Sequence, residues 1–529
     1  MRPIIEVADE LGLSRDHVHP WGPGRAKVSL DAAGPPKGRL VLVSAITPTP
    51  SGEGKTTMAI SLAMGLRQRE QRVGLALREP SIGPVFGRKG GGTGGGRATI
   101  EPSDAINLHC TGDMHAITSA PNLLAALVDH ALEHRTGLDT RKTRWRRVLD
   151  MNDRALRRVM VGLDCVPRES GFDITAASEV MAILCLAENR ADLEARLARL
   201  IVGETTDNTP VTAADLNAVG GMSALLAEAL LPTLVQTAEG GPAFVHGGPF
   251  ANIAHGCNSR IATRMALAHS DIVLSEAGFA FDLGGEKFLD IKARAPGLWP
   301  SKVVLVVTRR ALLWHGEGDL DRGLALLGHH LAGVARFDLD PVVVLNRFPD
   351  DTAADVDRVR AYCAERGAAF APCDGFAHGG EGALEAADVV LDGLPPLGAP
   401  PPTPRWLYPL DMPIPDKLGT LARDLYGANG VVLEESAKKD LARVTALGGG
   451  ALPVCVAKTP LSITDDPKRK GLVTDHTLHV RELRLHAGAG FVVALAGDIQ
   501  TMPGLPKEPA AKRIHVDASG KIRGLMQEG

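Results

Sequence analysis

Short continuous hydrophobic runs recur along the chain and alternate with segments of helical periodicity. Continuous apolar runs are typical of parallel strands that are covered on both faces of a sheet. The predicted strands are residues 39–46, 73–77, 243–246, 271–274, 302–307, 341–345, 388–391 and 491–496. The predicted helices are residues 56–71, 121–134, 179–200, 320–335, 353–366 and 419–426. This alternation predicts an α/β fold, with a parallel sheet and helices on both faces.

Three other stretches lie outside this alternation. Residues 1–36 are interpreted as an N-terminal arm or helix that ends at Pro35 and Pro36. The proline-rich stretch 394–404 is typical of a domain boundary, and a chain of this length is expected to form two or three domains. Residues 87–96 are glycine-rich and are either a linker or a loop that grips substrate.

Composition narrows the classes of function. The 529 residues carry a net charge of −4, so a nucleic-acid-binding role is not expected. The basic run at 141–158 is interpreted as a solvated helix face or a subunit contact. Seven cysteines without a Cys-x-x-Cys pair argue against disulfides and structural zinc, and predict a reducing, cytoplasmic location. No signal peptide and no membrane span are expected.

Residues 49–56 form a candidate phosphate-binding loop between the first predicted strand and its helix. The pattern Gly-x-x-x-x-Gly-Lys-Ser/Thr is kept except that threonine replaces the first glycine. Lys55 would place its charge on the β- and γ-phosphates, and Thr56 would be a ligand of Mg²⁺. The predicted nucleotide-binding residues are Thr49, Pro50, Ser51, Gly52, Glu53, Gly54, Lys55 and Thr56. The strand–loop–helix context predicts a P-loop NTPase-like fold that uses ATP.

Arg78 follows the second predicted strand directly. Ligands of parallel sheets bind outside the carboxyl ends of the strands, so Arg78 and the phosphate loop are expected on one side of one crevice. A guanidinium there would bind a carboxylate or a phosphate. The alternative is a surface salt bridge between Arg78 and Glu79.

Nine long motifs follow one another in the order found in formate–tetrahydrofolate ligases. They are TPTPSGEGKTT, LREPSIGPVFGRKGGGTGGG, INLHCTGDMHAIT, VPRESGFDIT, AFVHGGPFANIAHGCNS, EAGFAFDLGGEKF, VLNRFPDDT, LPVCVAKT and AGAGFVVALAGDIQTMPGLPKEPAA. The chain resembles this family over residues 40–525. The resemblance implies ATP-dependent ligation of formate to tetrahydrofolate through formyl phosphate. It also implies Mg²⁺, a monovalent cation such as K⁺ or NH₄⁺, and a homotetramer.

The resemblance assigns roles to residues that match the family motifs. Lys55, Arg78, Glu79 and Asp113 are the predicted catalytic residues, with Arg78 binding formyl phosphate. The resemblance also implies three domains. They are 1–336 for nucleotide and formyl phosphate, 337–440 for folate-stacking aromatics, and 441–529 as a C-terminal α/β domain.

Further substrate contacts are predicted outside these catalytic residues. Asn252 and His255 are interpreted as hydrogen-bonding phosphate or formyl oxygens, in preference to a metal site with Cys257. A nucleophilic role for Cys257 is disfavoured, because formyl phosphate already carries the activation. Phe348 and Phe376 match the aromatic positions that stack on the pterin, with Phe376 standing where the family has tryptophan.

Some positions depart from the family pattern. Arg97, Cys110, Met114 and Pro121 replace the usual aromatic or histidine residues. They leave open a ligase for another small carboxylate. Two further alternatives are a P-loop switch protein and an inactive homologue that is kept for its interactions. The long folate-side half argues against the switch, and the intact Lys55, Thr56, Arg78 and Asp113 argue against the inactive homologue.

Overall fold

The fold is built on one large mixed sheet with a smaller sheet near the C-terminus. The computed structural model describes residues 1–87 and 91–525. Its strands are β1 Val18–Pro20, β2 Ala26–Val28, β3 Arg39–Ala45, β4 Val73–Leu77, β5 Gly94–Gly95, β6 Ala98–Glu101, β7 Arg147–Leu149, β8 Val159–Val161, β9 Arg168–Ser170, β10 Phe172–Ile174, β11 Ile201–Glu204, β12 Pro210–Thr212, β13 Thr233–Thr237, β14 Pro242–Val245, β15 Ile272–Glu276, β16 Lys302–Val307, β17 Pro341–Asn346, β18 Ala369–Cys373, β19 Val431–Leu433, β20 Val454–Ala457, β21 Leu478–His486, β22 Phe491–Ala496, β23 His515–Val516 and β24 Ile522–Arg523.

Helices lie between most of the strands, and several of them cover the two faces of the large sheet. They are α1 Ile4–Glu10, α2 Lys55–Gln68, α3 Ile82–Phe86, α4 Ser103–Leu108, α5 Asp113–Glu133, α6 Glu179–Leu186, α7 Arg190–Ala198, α8 Val219–Leu225, α9 Arg260–His269, α10 Glu286–Asp290, α11 Arg309–His315, α12 Leu320–Ala335, α13 Ala353–Ala364, α14 Gly375–His378, α15 Leu384–Asp392, α16 Ile414–Asp424 and α17 Glu435–Ala446. Among the described residues, no helix combines the length and the apolar character needed to cross a bilayer.

The large sheet has the order β1-β2-β13-β14-β4-β15-β3-β16-β17-β18, with β6 on β13 and β5 on β6. Its seven strands from β14 to β18 in this order are mutually parallel. The central strands are buried throughout, as their continuous apolar runs predicted. The predicted α/β fold with a mostly parallel sheet is therefore confirmed. The sheet also runs across residue 336, and the division into three domains stays a prediction.

One predicted strand is a helix, and one predicted helix is two helices. The predicted strand 388–391 lies inside helix α15, where Ala386, Ala387 and Val390 are buried at helical spacing. A short apolar run cannot distinguish a strand from a buried helix turn. The single helix predicted for 179–200 is two helices, because the Asn189 side chain accepts from Asp192 N and starts α7.

The N-terminal segment and the basic run also differ from prediction. Besides α1, residues 1–36 contain the antiparallel pair β1–β2, which extends the large sheet through β13. The basic run 141–158 contains only 3₁₀ turns and the short strand β7, so the predicted helix face is wrong. Arg146 Nη1 lies 2.7 Å from Asp173 Oδ1, and the Arg147 guanidinium forms an ion pair with the Asp129 carboxylate. The predicted subunit contact stays a prediction.

Candidate active site

The predicted site residues come from one edge of the large sheet. The phosphate loop follows β3, and Arg78 follows β4. Phe348 follows β17, and Phe376 follows β18. These four strands are parallel, so their carboxyl ends meet at the same edge. Arg78 and the phosphate loop therefore lie at the same edge of the sheet, as the sequence predicted.

The phosphate loop is held from inside by Glu53. Its buried carboxylate accepts from Thr49 N at 2.6 Å and from the Thr308 hydroxyl, which follows β16. The Glu53 carbonyl accepts from Asn346 Nδ2 at 3.1 Å, at the end of β17. Gly52 and Gly54 have φ angles of +81° and +71°, which side chains rarely adopt. The loop is thus shaped by its glycines and supported by the two strands on one side of β3.

On the other side of β3, Glu276 connects the phosphate loop to Arg78. Glu276 ends β15, which lies between β3 and β4. Its Oε2 accepts from the Thr56 hydroxyl at 2.8 Å, and its Oε1 lies 3.3 Å from both Nε and Nη2 of Arg78. The alternative of a surface pair between Arg78 and Glu79 is wrong, because this ion pair joins Arg78 to a buried carboxylate.

Glu79 and Asp113 belong to a buried charge cluster. Lys27 Nζ donates to both oxygens of Asp113, at 2.6 and 2.7 Å, and to the carbonyl of Leu231 at 2.7 Å. The Lys27 and Asp113 side chains are only 3% and 1% exposed. Asp113 is the first residue of α5, where the helix dipole favours a negative charge. Within the described chain, Glu79 Oε2 has no hydrogen-bond partner.

Burial dominates the electrostatics of this cluster. It raises the pKa of Glu79 well above the usual range, and the charge of Asp113 adds to the shift. Burial also raises the pKa of Asp113, although the Lys27 ammonium opposes that shift. Burial therefore favours the protonated form of both carboxyl groups, and the Lys27 ammonium opposes it.

The loop that carries Asn252 and His255 follows β14. Its backbone is anchored where Lys287 Nζ donates to the Ala251 carbonyl and where Phe250 N donates to Ala176 O. Asn252 is half-buried, whereas His255 is fully enclosed and packs 6.4 Å from the Phe491 ring, centroid to centroid. Neither ring nitrogen of His255 has a hydrogen-bond partner in the part of the chain described. The predicted contact of His255 with substrate oxygens stays a prediction.

Burial favours the neutral form of both the imidazole and the thiol of this loop. Burial, with the nearby charge of Lys292, lowers the pKa of His255 well below its usual range. Burial raises the pKa of Cys257 to about 12. Among residues 1–87 and 91–525, no group of three His, Cys, Asp or Glu side chains is arranged to hold a metal.

The two predicted pterin contacts have different surroundings. The Phe348 ring is covered by the Arg310 guanidinium, at 3.9 Å from the ring centroid. The Phe376 side chain is 37% exposed and lies against the glycine strand β5. The Phe376 carbonyl accepts from Arg97 N at 2.9 Å. A β-carbon on Gly96 would lie 2.0 Å from that carbonyl oxygen, so the close approach requires glycine.

Comparison with known proteins decides the family. A family model described as formate–tetrahydrofolate ligase matches residues 1–526. The chain belongs to this family. The formate–tetrahydrofolate ligase of Myxococcus xanthus is 58% identical over 547 residues, which cover 100% of this chain and 99% of that protein. Those of Paracoccus denitrificans and Thermus thermophilus are each 51% identical and cover 99% of this chain and 98% of their own.

The departures from the ligase family pattern fall in separate places. Arg97 adjoins Phe376. Cys110 and Met114 are buried on either side of Asp113, and the Cys110 carbonyl accepts from the Arg25 guanidinium. Pro121 lies farther along α5, where its carbonyl accepts from Trp145 Nε1 at 2.9 Å. Arg97 therefore lies on the Phe376 side of the site, and Cys110 and Met114 lie on the Asp113 side.

Four residues at this site were not identified from sequence. Glu276 opens the EAGFAFDLGGEKF motif at the end of a predicted strand, and an acidic residue in that position is a recognisable signal. Thr308 and Asn346 also follow or end buried strands that were predicted. Lys27 had no such signal, because its partner Asp113 is 86 residues away in the sequence.

Proposed function

We propose that this protein joins formate to tetrahydrofolate with ATP, giving 10-formyltetrahydrofolate, ADP and phosphate. The observation that carries the proposal is the position of Arg78 beside the phosphate loop, with Glu276 in contact with both Arg78 and Thr56. A cation for a small anion therefore adjoins the loop expected to hold the γ-phosphate. Family membership and the relatives' shared name support formate and tetrahydrofolate as the substrates.

Two steps account for the chemistry. A formate oxygen attacks the γ-phosphorus of ATP and releases ADP, which leaves formyl phosphate. The folate N10 then attacks the formyl carbon and releases inorganic phosphate and a proton. Lys55 and Arg78 supply positive charge where negative charge gathers on the phosphoryl and carbonyl oxygens.

The remaining parts of the site supply positioning. We assign the loop 49–56 to the nucleotide and its strand–loop–helix to a P-loop NTPase-like fold. Asn252 and His255 are assigned to the formyl phosphate side, where Ala251 is anchored by Lys287. Phe348 and Phe376 are assigned to the pterin, which favours flat aromatic contacts.

We assign both proposed cations, Mg²⁺ and a monovalent cation, to oxygen atoms of this site. The Thr56 hydroxyl and the Glu276 carboxylate are two oxygens 2.8 Å apart, and oxygen ligands are what Mg²⁺ prefers. When bound there, Mg²⁺ would offset the charge of the phosphates. We assign the proposed monovalent cation to the Glu79 side of the site, where Glu79 Oε2 is buried and lacks a hydrogen-bond partner among the described residues. The proposal also includes three domains, a homotetramer and a cytoplasmic location.

The test compares formate with acetate. We expect ADP release to depend on both tetrahydrofolate and formate, and to be far slower with acetate. Equal or faster turnover with acetate would sink the formate assignment and favour the other-carboxylate ligase that Arg97, Cys110 and Met114 leave open. ADP release that needs neither substrate would instead favour a nucleotide switch. An exposed-lysine variant, Lys439→Ala, serves as the control preparation.

A further inference from the structure

Glu276 is the last residue of β15 and lies between the phosphate loop and Arg78. Its strand β15 lies between β3, which leads into the phosphate loop, and β4, which leads into Arg78. In the register, Glu276 is opposite Val43 of β3, and the preceding Ser275 is opposite Ala76 of β4. The last side chain of β15 therefore projects at the edge between the two functional loops.

The contacts of Glu276 divide between these two loops, one oxygen each. The Oε2–Thr56 bond is 2.8 Å and short, whereas both Oε1–Arg78 distances are 3.3 Å. A fork-to-fork pair of arginine and carboxylate would use both oxygens at about 2.7–2.9 Å. Arg78 is thus held by one oxygen at long range and keeps further N–H groups for a ligand.

The Glu276 and Arg78 side chains also differ in their exposure to solvent. The Glu276 side chain is 4% exposed and that of Arg78 is 23% exposed. A buried carboxylate stays in place because its desolvation is compensated by its two partners. The guanidinium is therefore the more accessible partner of this pair.

Glu276 also orients the hydroxyl group of Thr56. Because the Thr56 hydroxyl donates to Glu276, its lone pairs are free to point toward a cation at the nucleotide. A cation bound there would also offset the Glu276 charge, which weakens the hold on Arg78. Arg78 would then interact more strongly with an anion in the crevice.

We propose that Glu276 is a positioning residue that makes binding of the magnesium nucleotide and of the small anion cooperative, by orienting Thr56 and restraining Arg78 through one carboxylate. The inference rests on the proposed function, since it takes Thr56 as a metal ligand and Arg78 as the anion contact. By linkage, each ligand must strengthen the other by the same factor.

The test measures binding by isothermal titration calorimetry on the full chain. ADP is titrated with and without Mg²⁺, and with and without saturating inorganic phosphate as the anion probe. In the wild type we expect phosphate to tighten Mg·ADP binding about fivefold or more, and the reciprocal titration to give the same factor. In Glu276→Gln the negative charge is lost and an NH₂ group replaces one oxygen, so Thr56 and Arg78 no longer have an acceptor oxygen each. Its coupling factor should fall to about one, while ADP binding without Mg²⁺ stays unchanged.

Two companion variants separate coupling from folding. Thr56→Ser keeps the hydroxyl and should keep the coupling, whereas Thr56→Val should lose the tightening by Mg²⁺ but still bind phosphate. Glu385→Gln removes an exposed carboxylate that pairs with Arg360, and it should behave as the wild type does. If Glu276→Gln does not fold, the threonine pair still decides the question.

The outcomes distinguish this inference from the proposed function. An unchanged coupling factor in Glu276→Gln or Thr56→Val, in a protein that turns over formate and tetrahydrofolate, overturns the inference and leaves the function standing. Absence of coupling in the wild type overturns it as well. Coupling that is present in the wild type and lost in Glu276→Gln, without formate-dependent turnover, supports the inference and overturns the choice of substrate.

Discussion

Replacing Lys27 by methionine is the sharpest test of the buried cluster around Asp113. Methionine fills a similar volume but removes the ammonium that lies 2.6 and 2.7 Å from the two Asp113 oxygens. It also leaves the Leu231 carbonyl without this donor. Removing one partner of a buried ion pair costs about 3–5 kcal/mol of unfolding free energy, because the remaining charge is neither solvated nor paired.

The pH dependence of this loss has a defined sign. Lys27 lowers the pKa of both Glu79 and Asp113, so its removal raises both pKa values further above those of the unfolded chain. A carboxyl with a raised folded pKa costs nothing below its unfolded pKa, and its cost grows as the pH rises toward the folded value. The loss of unfolding free energy in Lys27→Met should therefore be small at about pH 4 and largest at neutral pH and above.

The assay is urea unfolding followed by circular dichroism at acidic and at neutral pH. Lys439→Met is the matched control, since Lys439 is exposed on α17 and its loss should stay within about 0.5 kcal/mol of the wild type. Adding Asp113→Asn to Lys27→Met removes the uncompensated charge, so the double variant should be more stable at neutral pH than Lys27→Met alone. If Lys27→Met unfolds like the control at both pH values, the cluster does not have the energetics described here.

Three further outcomes follow from the nucleotide loop and the pterin side. Lys55→Ala should abolish ATP-driven turnover, because the phosphate charge is no longer compensated; near-normal ADP release would remove the loop from the mechanism. Phe376→Ala should raise the tetrahydrofolate KM while sparing ATP affinity, and Phe376→Trp should lower it through the larger stacking area; an unchanged KM in both would refute the stacking role. Gly96→Ala should displace the Phe376 backbone and raise the same KM without changing ADP binding measured by calorimetry, because its β-carbon would lie 2.0 Å from the Phe376 carbonyl.

The parts of the fold that the sequence predicted well are those decided by local pattern. The strands at 39–46, 73–77 and 302–307 were recognised because parallel strands covered on both faces are continuous apolar runs. Strand β18 was missed because AFAPC is a short strand on the sheet border, with two alanines and a proline. Residues 388–391 of helix α15 were predicted as a strand, because four residues are too few to show helical periodicity.

The residues of the site also divide into those with a local sequence signal and those without one. Lys55 and Thr56 were found from the Gly-Lys-Thr pattern of the loop between β3 and α2, and Arg78 was found because it directly follows β4. Both signals are local features of the sequence. Lys27 was not found, because it acts only after β2 pairs with β13, more than 200 residues away. The enclosure of His255 by Phe491 also depends on a distant segment. Residues whose chemistry depends on such long-range packing have no signature in their own neighbourhood.

The continuity of the large sheet between the phosphate loop and Phe376 has a geometric consequence. Strands β3, β16, β17 and β18 are successive neighbours, so the ends that carry the loop and Phe376 are three strand spacings apart. At ~4.8 Å for each spacing, that is ~14 Å set by backbone hydrogen bonds alone. The sheet thus fixes the distance between these two strand ends in whole strand spacings. Side-chain changes at either strand end can alter the contacts with a substrate, but they leave the distance between the two strand ends unchanged.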